Sequence, residues 1–330
     1  MTHSFVIITR NRGAETRRLL AALGRQTVPP DEVIVVDASV STLSRGDVAK
    51  DLPFLLTIIP SPAGIAVQRN RGLEEAGGDI VTFMDDDAIP DPEYVASVNR
   101  IFLGGMDHAT DARDVEDRGV AAAGGTLRNP SPRSRPERML RDIFLLQTDR
   151  GKNRFRSSGI PDFDVTAGAS GEAQILPSTA LSFRRTAARG LRFDPACFSG
   201  APLGLRTGRC FGEDAWFTAM LSRRGRIVLL AEAGYLHMPS KGNRERTHDT
   251  QALYVYALRM LSARFAAPGI ARLLRLWALA GHGVLAVLQW IRYRDTGYLG
   301  GYVHAMRAPL QRLPRDADIT ETPPSGGVRG

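Results

Sequence analysis

Short apolar, β-branched runs alternate with helix-like segments over the first hundred residues, and this alternation limits the folds that the chain can adopt. The runs that read as buried strands cover residues 4–9, 32–37, 55–59 and 79–84. Leucines at helical spacing follow the first run, and a second helix is predicted over residues 65–76. Strands and helices that alternate at this pitch favour right-handed βαβ units and a parallel sheet. We therefore expect an α/β fold.

Polar and acidic side chains stand where three of these strands end. They are Thr9-Arg10-Asn11, Asp37 and the triplet Asp85-Asp86-Asp87. Open α/β sheets bind ligands at the carboxyl ends of their strands. This edge of the sheet is therefore the predicted binding site.

The aspartate triplet is the strongest local signal. Three adjacent carboxylates repel one another unless a cation neutralises them, and a hard divalent cation prefers oxygen ligands. If the strand continues through the triplet, Asp85 and Asp87 project to one side and Asp86 to the other. The competing interpretation is a solvated acidic turn that caps the next helix, for which Asp91 is the predicted N-cap.

Two further acidic features have alternative interpretations. Glu213 and Asp214 precede an amphipathic run and could include a general base, or could simply complement the helix dipole. Asp37 could accept a hydrogen bond from the imide N–H of a uracil-like base, or could bind a ribose hydroxyl as in dinucleotide folds. The first strand is followed by TRNRG rather than by a GxGxxG turn, which argues against NAD or FAD.

The second half of the chain is less regular. Residues 107–118 are charged and loop-like, and strands are expected over 119–125, 173–184 and 226–230. From about Gln251 the composition changes to Leu, Ala and Arg at helical spacing, and the Pro/Gly-rich tail from 314 is expected to be disordered.

Four segments in this order, IITRNR, EVIVVDAS, QRNRGLEEAGGDIVTFMDDD and FGEDAWF, resemble the family 2 glycosyltransferases over about residues 3–240. The resemblance implies a GT-A fold, with a mixed, mainly parallel sheet flanked by helices, and a nucleotide-sugar-dependent, inverting activity. It makes Asp214 the catalytic base with Glu213 beside it. It assigns the nucleotide sugar to Thr9, Asp37, Arg69, Asp85 and Asp86. It assigns the metal, Mg²⁺ or Mn²⁺, to Asp87 and His237 as ligands.

The resemblance also implies the substrates. The donor would be a UDP-, GDP- or dTDP-sugar, and the acceptor a glycan or lipid-linked hydroxyl in cell-surface or extracellular polysaccharide synthesis. Residues 168–184 would line the donor sugar and acceptor. The alternatives are a sugar-nucleotide nucleotidyltransferase and a catalytically idle nucleotide-sugar-binding protein.

Charge and hydropathy suggest a further partner. The net charge is +8, no nucleic-acid-binding signature accompanies it, and no secretory signal is visible at the N-terminus. Residues 276–291 are almost entirely apolar, and eight arginines lie between 251 and 313. We expect a cytoplasmic enzyme with a catalytic domain (1–245), a helical extension (246–313) that either attaches to the anionic inner face of the membrane or packs on the catalytic domain, and a tail (314–330).

Overall fold

The structure is a computed structural model and describes residues 1–44, 46, 51–104, 119–130, 133–147, 153–166, 168, 170–238, 247–267, 269–311 and 313. The predicted loop over 107–118, the tail from 314, Arg312 and the predicted boundary at 245–246 lie outside the described residues.

The first hundred residues form the predicted βαβ units. Their elements are β1 (His3–Thr9), α1 (Gly13–Leu23), β2 (Glu32–Asp37), β3 (Leu55–Pro60), α2 (Ile65–Glu75), β4 (Ile80–Asp85), β5 (Ala88–Pro90) and α3 (Tyr94–Phe102). The four predicted strands agree with β1 to β4 to within one residue at either end. Asp91 does not cap α3, because the helix begins after Glu93 and the Asp91 carboxylate instead accepts from Arg128 Nε at 2.8 Å.

The second half adds shorter strands and the C-terminal helices. Its elements are β6 (Val120–Leu127), α4 (Arg135–Ile143), β7 (Arg154–Phe155), β8 (Pro161–Asp162), β9 (Gly171–Ala173), β10 (Ala180–Arg184), α5 (Pro195–Phe198), a 3-10 turn (Ala201–Leu203), α6 (Glu213–Leu221), β11 (Arg226–His237), α7 (Thr247–Phe265), α8 (Ala271–Tyr293) and α9 (Gly297–Arg307). Of the strand expected over 173–184, only Ala180–Arg184 forms a strand of its own (β10), and Ala173 ends β9, which has a different partner. The chain between β9 and β10 leaves the sheet and turns at Ser178 and Thr179.

One mixed sheet organises these elements in the order β3-β2-β1-β4-β10-β6-β11-β5, with β9 also paired to β11. The strands β3, β2, β1 and β4 are parallel, as are β6 and β11, whereas β10 runs antiparallel between β4 and β6. The expected α/β class is confirmed. β10, together with β5 and β9, which run antiparallel to β11, makes the sheet mixed rather than the purely parallel one that the βαβ alternation alone favours.

Strand register brings the predicted site residues side by side. Thr9 pairs with Asp37 across β1 and β2, and Ile8 pairs with Asp85 across β1 and β4. Because β1 lies between β2 and β4, the three carboxyl ends meet at one edge of the sheet.

Both faces of the sheet are covered, because alternate residues of each buried strand point to opposite sides. Phe5 and Ile7 of β1 pack with α1 and α3 on one face. Val6 packs on the other face, in a cluster that also contains buried residues of α2, α6 and α7. The result is a three-layer α/β/α arrangement.

Helix α7 belongs to this core. Leu253, Tyr256 and Leu261 are almost completely buried and lie in the same cluster as the β-strand residues. Helix α8 is attached more loosely, through a small cluster that includes Leu146, Leu258 and Leu285. It is the one helix among the described residues that is long and apolar enough to cross a membrane by length and composition alone.

Gly72 in α2 sets how closely that helix approaches the sheet. A Cβ at this position would lie 2.2 Å from Val6 Cγ1 and 3.2 Å from Val36 Cγ2. Both valines are fully buried in the sheet, so neither has room to move away.

We therefore predict that Gly72→Ala lowers the free energy of unfolding by about 1–3 kcal/mol through overpacking, measured by urea denaturation. Gly300→Ala is the matched control within α9, since its added methyl group meets only the His248 ring edge at 3.2 Å. Higher helix propensity should leave that control unchanged or more stable. Equal stability of the two variants would contradict close packing at Gly72.

Candidate functional site

The aspartate triplet lies at the end of β4, but the strand does not run through it. Strand β4 stops at Asp85, and a turn carries Asp86 and Asp87. Arg12 Nη1 donates to Asp86 Oδ1 and to Asp87 Oδ2, each at 3.0 Å, whereas Asp85 Oδ1 lies 3.6 Å from Arg69 Nη2. The strand therefore does not continue through the triplet, and the alternation expected for a continuing strand is wrong. Asp86 and Asp87 both contact Arg12, whereas Asp85 faces Arg69.

Asp86 is buried and held by β1 and the start of α1. Thr9 Oγ1 donates to Asp86 Oδ2 at 2.8 Å, and Thr16 Oγ1 donates to Thr9 Oγ1 at 3.0 Å. Burial raises the pKa of Asp86 to about 6, although the hydrogen bond from Thr9 and the charge of Arg12 oppose the shift. Thr9, assigned to the nucleotide, therefore lies directly against a member of the triplet.

His237 lies beside Asp87 because β11 pairs with β5. His237 is in register with Ala88, and the Met238 N–H donates to the Asp87 carbonyl at 2.8 Å. His237 Nε2 is 3.2 Å from Asp87 Oδ1. Burial raises the pKa of Asp87, but the hydrogen bond and charge of His237, together with Arg12, outweigh burial and leave that pKa below its usual value.

The donor set around Asp87 suits a hard divalent cation that also contacts a substrate phosphate. Among the described residues no three His, Cys, Asp or Glu side chains converge as a preformed metal site. Asp87 and His237 form a pair, and Mg²⁺ commonly uses one or two carboxylates with waters and substrate phosphates as its remaining ligands. The pair therefore fits a metal–diphosphate unit better than a metal bound alone.

Asp37 lies at the same sheet edge and organises the loop after β2. Its Oδ1 accepts from the Ser39 N–H at 2.8 Å and from the Ser39 hydroxyl, and its Oδ2 accepts from the Leu43 N–H at 2.7 Å. Gln68 Nε2 ties the neighbouring strand ends together by donating to the carbonyls of Thr9 and Val36, each at 2.9 Å.

Arg69 joins the triplet to the second acidic pair. Its guanidinium is 4% exposed and donates from Nη1 to Glu213 Oε1 at 2.7 Å while approaching Asp85. The rings of Phe83 and Phe193 lie 5.9 and 5.6 Å from its Cζ. Among the described residues Glu213 Oε2 has no hydrogen-bond partner although it is buried.

Asp214 stands at the first turn of α6 because Gly212 caps that helix in a left-handed conformation, with φ of 82°. A side chain at position 212 would also collide with Leu261 of α7, 2.8 Å from the added Cβ. Asp214 Oδ1 accepts from the Ala215 N–H at 2.7 Å. Burial and the neighbouring Glu213 charge raise the pKa of Asp214 to about 7, against the opposing charge of Arg69.

The described part of the segment 168–184 passes between the two acidic groups. The Thr179 carbonyl accepts from the Asp85 N–H at 3.1 Å, and the Ser178 backbone hydrogen bonds to Asp214. The turn between β9 and β10 thus contacts residues of both groups.

Arg12 and Gln68 were not among the predicted site residues. The signal for Arg12 was present, because a basic residue shortly after the first strand faces the acidic end of β4 when the two strands are neighbours. Gln68 gave no such signal, since a glutamine in an amphipathic helix ordinarily faces solvent.

Sequence and structure comparisons agree with this architecture. Residues 4–160 match the family described as glycosyl transferase family 2. Over 96 residues the chain is 34% identical to the uncharacterised glycosyltransferase YwdF of Bacillus subtilis (strain 168). That alignment covers 29% of this chain and 36% of YwdF, so the match spans about a third of the relative.

Solved structures resemble this chain at low sequence identity. GalNAc-T7 with UDP, GalNAc and Mn²⁺ gives a TM-score of 0.50 at 13% identity, over 85% of this chain and 54% of that chain. TarS 1-349 of S. aureus with UDP-GlcNAc gives 0.48 at 14% identity, over 93% of this chain and 91% of that chain. The fold is that of GT-A glycosyltransferases, and the match to glycosyl transferase family 2 extends over slightly less than half of the chain.

Proposed function

We propose that the protein is an inverting glycosyltransferase that moves a sugar from a nucleoside diphosphate to an acceptor hydroxyl. The observation that carries this proposal is the buried bridge of Arg69 between Asp85 and Glu213. It holds a strand-end aspartate triplet and a helix-start acid pair in one site, so a diphosphate-binding group and a general base can act on one substrate pair.

The donor nucleotide lies along the carboxyl ends of β1, β2 and β4 in this proposal. Thr9 and Asp37 contact the nucleobase, Asp85 and Asp86 contact the ribose and sugar, and Arg69 lies near the base or the phosphates. Their adjacency in the strand register supports these roles. Uridine, guanosine and deoxythymidine diphosphate sugars are all donor candidates.

Asp87 and His237 would hold Mg²⁺ or Mn²⁺ together with the diphosphate. The cation, when bound, neutralises the charge that develops on the departing diphosphate. Arg12 contacts Asp87 through the other carboxylate oxygen and keeps that carboxylate oriented. GalNAc-T7, which shares the fold, is described with UDP and Mn²⁺.

Asp214 is the proposed base. As the acceptor hydroxyl attacks the anomeric carbon, its proton passes to the Asp214 carboxylate. The bond from that carbon to the diphosphate oxygen breaks, and the diphosphate leaves with the electron pair. A single displacement without an enzyme nucleophile inverts the anomeric configuration.

The acceptor we propose is a glycan or a lipid-linked hydroxyl in polysaccharide synthesis. The reaction would take place in the cytoplasm, at the inner face of the cell membrane, where nucleotide sugars and lipid-linked acceptors meet. The apolar helix α8 supports this location.

We predict that Asp214→Asn lowers turnover by about 10²–10⁴-fold while donor binding survives, because the amide keeps the shape and cannot take the proton. Turnover of the unmodified protein should rise with pH through about 7, where Asp214 loses its proton, and then level off. The variant should lack this rise. Initial rates against a screened donor and acceptor measure both effects.

The control is Asp142→Asn, which changes a surface carboxylate in α4 whose side chain is 60% exposed. It should leave the pH profile unchanged. Near-normal turnover of Asp214→Asn would move the base to Glu213. Release of pyrophosphate from a nucleoside triphosphate and a sugar phosphate would instead identify a nucleotidyltransferase.

We predict that nucleoside diphosphate binds far more tightly with Mn²⁺ or Mg²⁺ than in EDTA. Mn²⁺ alone should bind weakly, because no third His, Cys, Asp or Glu converges with Asp87 and His237 among the described residues. Isothermal titration of UDP and GDP measures this. Asp87→Ala should abolish the metal dependence, whereas Asp164→Ala, outside the site, should not. Equal affinity in EDTA would overturn the metal assignment.

We predict that Arg69→Gln shifts the rise of the pH profile to higher pH, because the Arg69 charge lowers the pKa of Asp214. The same change leaves Glu213 buried without its cation and should destabilise the fold by about 3–5 kcal/mol. Arg69→Lys keeps the charge and should shift the profile less. An unchanged profile in a folded Arg69→Gln protein would contradict the coupling.

A further inference from the structure

The exposed apolar side of α8 is a continuous stripe. Its members are Leu273, Leu276, Trp277, Val284, Val287, Leu288 and Ile291, which are each 37% to 68% exposed. Most are separated by three, four or seven residues, which is one or two turns of a helix. Side chains at these spacings lie on one side of a helix. We call this set the apolar stripe.

The opposite side of α8 is packed against the protein. Its buried members are Ala278, Leu279, Gly281, His282, Leu285 and Ala286. Phe144, directly after α4, lies against Gly281, and Tyr302 of α9 lies against Gly283. A crossing of the bilayer by α8 would carry these neighbours, including the ends of α4 and α9 with their arginines, into hydrocarbon.

Helix α4 extends the exposed apolar surface. Met139 and Ile143 are 67% and 50% exposed. Trp277 Nε1 donates to the Ile143 carbonyl at 2.7 Å, and its ring lies 4.8 Å from that of Phe144. Two helices therefore contribute to the surface, and the Trp277 ring joins them.

Basic and amphipathic side chains flank the apolar stripe. Arg272 and Arg292 are exposed within α8, Arg294 follows it, and the helix contains no acidic residue. Trp290 borders the stripe and Tyr293 is exposed at the C-terminal end of the helix, and both have the amphipathic rings that favour the membrane–water interface. An apolar stripe with arginines at both ends is complementary to an anionic lipid surface.

We propose that α8 lies in the plane of an anionic membrane, with the apolar stripe and the adjoining residues of α4 inserted among the lipids. This proposal concerns a surface apart from the acidic site and does not depend on the proposed sugar transfer. Helix α7, which packs beside α8, also contacts Gly212 through Leu261, so lipid-bound helices would lie next to the helix that carries Asp214.

The test uses the full chain, because truncation before α7 would remove core residues such as Leu253 and Tyr256. Flotation compares phosphatidylcholine vesicles with vesicles that also contain phosphatidylglycerol. We expect the chain to bind the anionic vesicles. High salt should weaken this binding by about fivefold for each arginine that lies near the surface, because it screens the attraction to the lipid charge. Detergent should be needed for complete release.

Leu273→Glu with Ile291→Glu places a charge near each end of the stripe and should weaken vesicle binding at least about tenfold. The matched control is Leu103→Glu with Leu55→Glu, since Leu103 and Leu273 are both 68% exposed and Leu55 and Ile291 are 59% and 54% exposed. The control should bind like the unmodified chain. Circular dichroism and, where substrates are known, turnover in detergent should remain unchanged in both variants.

Spin labels distinguish a helix in the membrane plane from one that crosses. Cysteine is introduced singly at Leu273, Val284 and Ile291, while the native Cys197 and Cys210 are buried and resist labelling. All three labels should report the same shallow depth. A deepest position at Val284 would overturn the proposal in favour of a membrane span. Failure to bind anionic vesicles, or a dimer that Leu273→Glu with Ile291→Glu dissociates, would overturn it in favour of a soluble surface or a contact between two copies.

Discussion

The buried guanidinium of Arg69 is the interaction on which the rest of the site depends. Removing a cation and a carboxylate from water costs several kcal/mol per ion unless close partners replace the lost hydration. Glu213 and Asp85 supply opposite charge, and the rings of Phe83 and Phe193 pack around the guanidinium. Because Arg69 belongs to α2 and its charged partners lie in α6 and at the end of β4, the electrostatic requirement of one side chain fixes the relative positions of three elements.

The N-terminal half could be predicted in detail because β1, β2 and β4 are buried along almost their whole length. Continuous β-branched runs such as EVIVVD mark such strands without ambiguity, and the helix between two parallel strands needs a minimum length. Strand order follows from these constraints far enough to place Thr9, Asp37 and Asp85 at one edge. The fold class, and the position of these three residues at one edge of the sheet, could therefore be predicted from the sequence.

The rest of the site depended on features of one or two residues. Whether β4 stops at Asp85 or at Asp87 decides which carboxylates share a partner, and element ends are the least certain part of any pattern. The antiparallel insertion of β10 and the pairing of β5 with β11 are long-range events that local periodicity does not encode. The contact of His237 with Asp87 follows from the pairing of β5 with β11, so its geometry required the structure.

Gly212 has a consequence for how the chain can diversify. Gly212, the left-handed residue before α6, lies against Ala257 and Leu261. The turn before the acid pair therefore packs closely on the surface of α7. Substitution on either side is constrained by the other, although the two are some 45 residues apart in sequence. If recombination exchanged the C-terminal helices for those of a distant relative, the new helix would need small or well-placed side chains where Ala257 and Leu261 meet Gly212. We therefore expect substitutions that change the partner or the location of the protein to accumulate on the outward side of α8 and α9, which does not pack on the turn at Gly212.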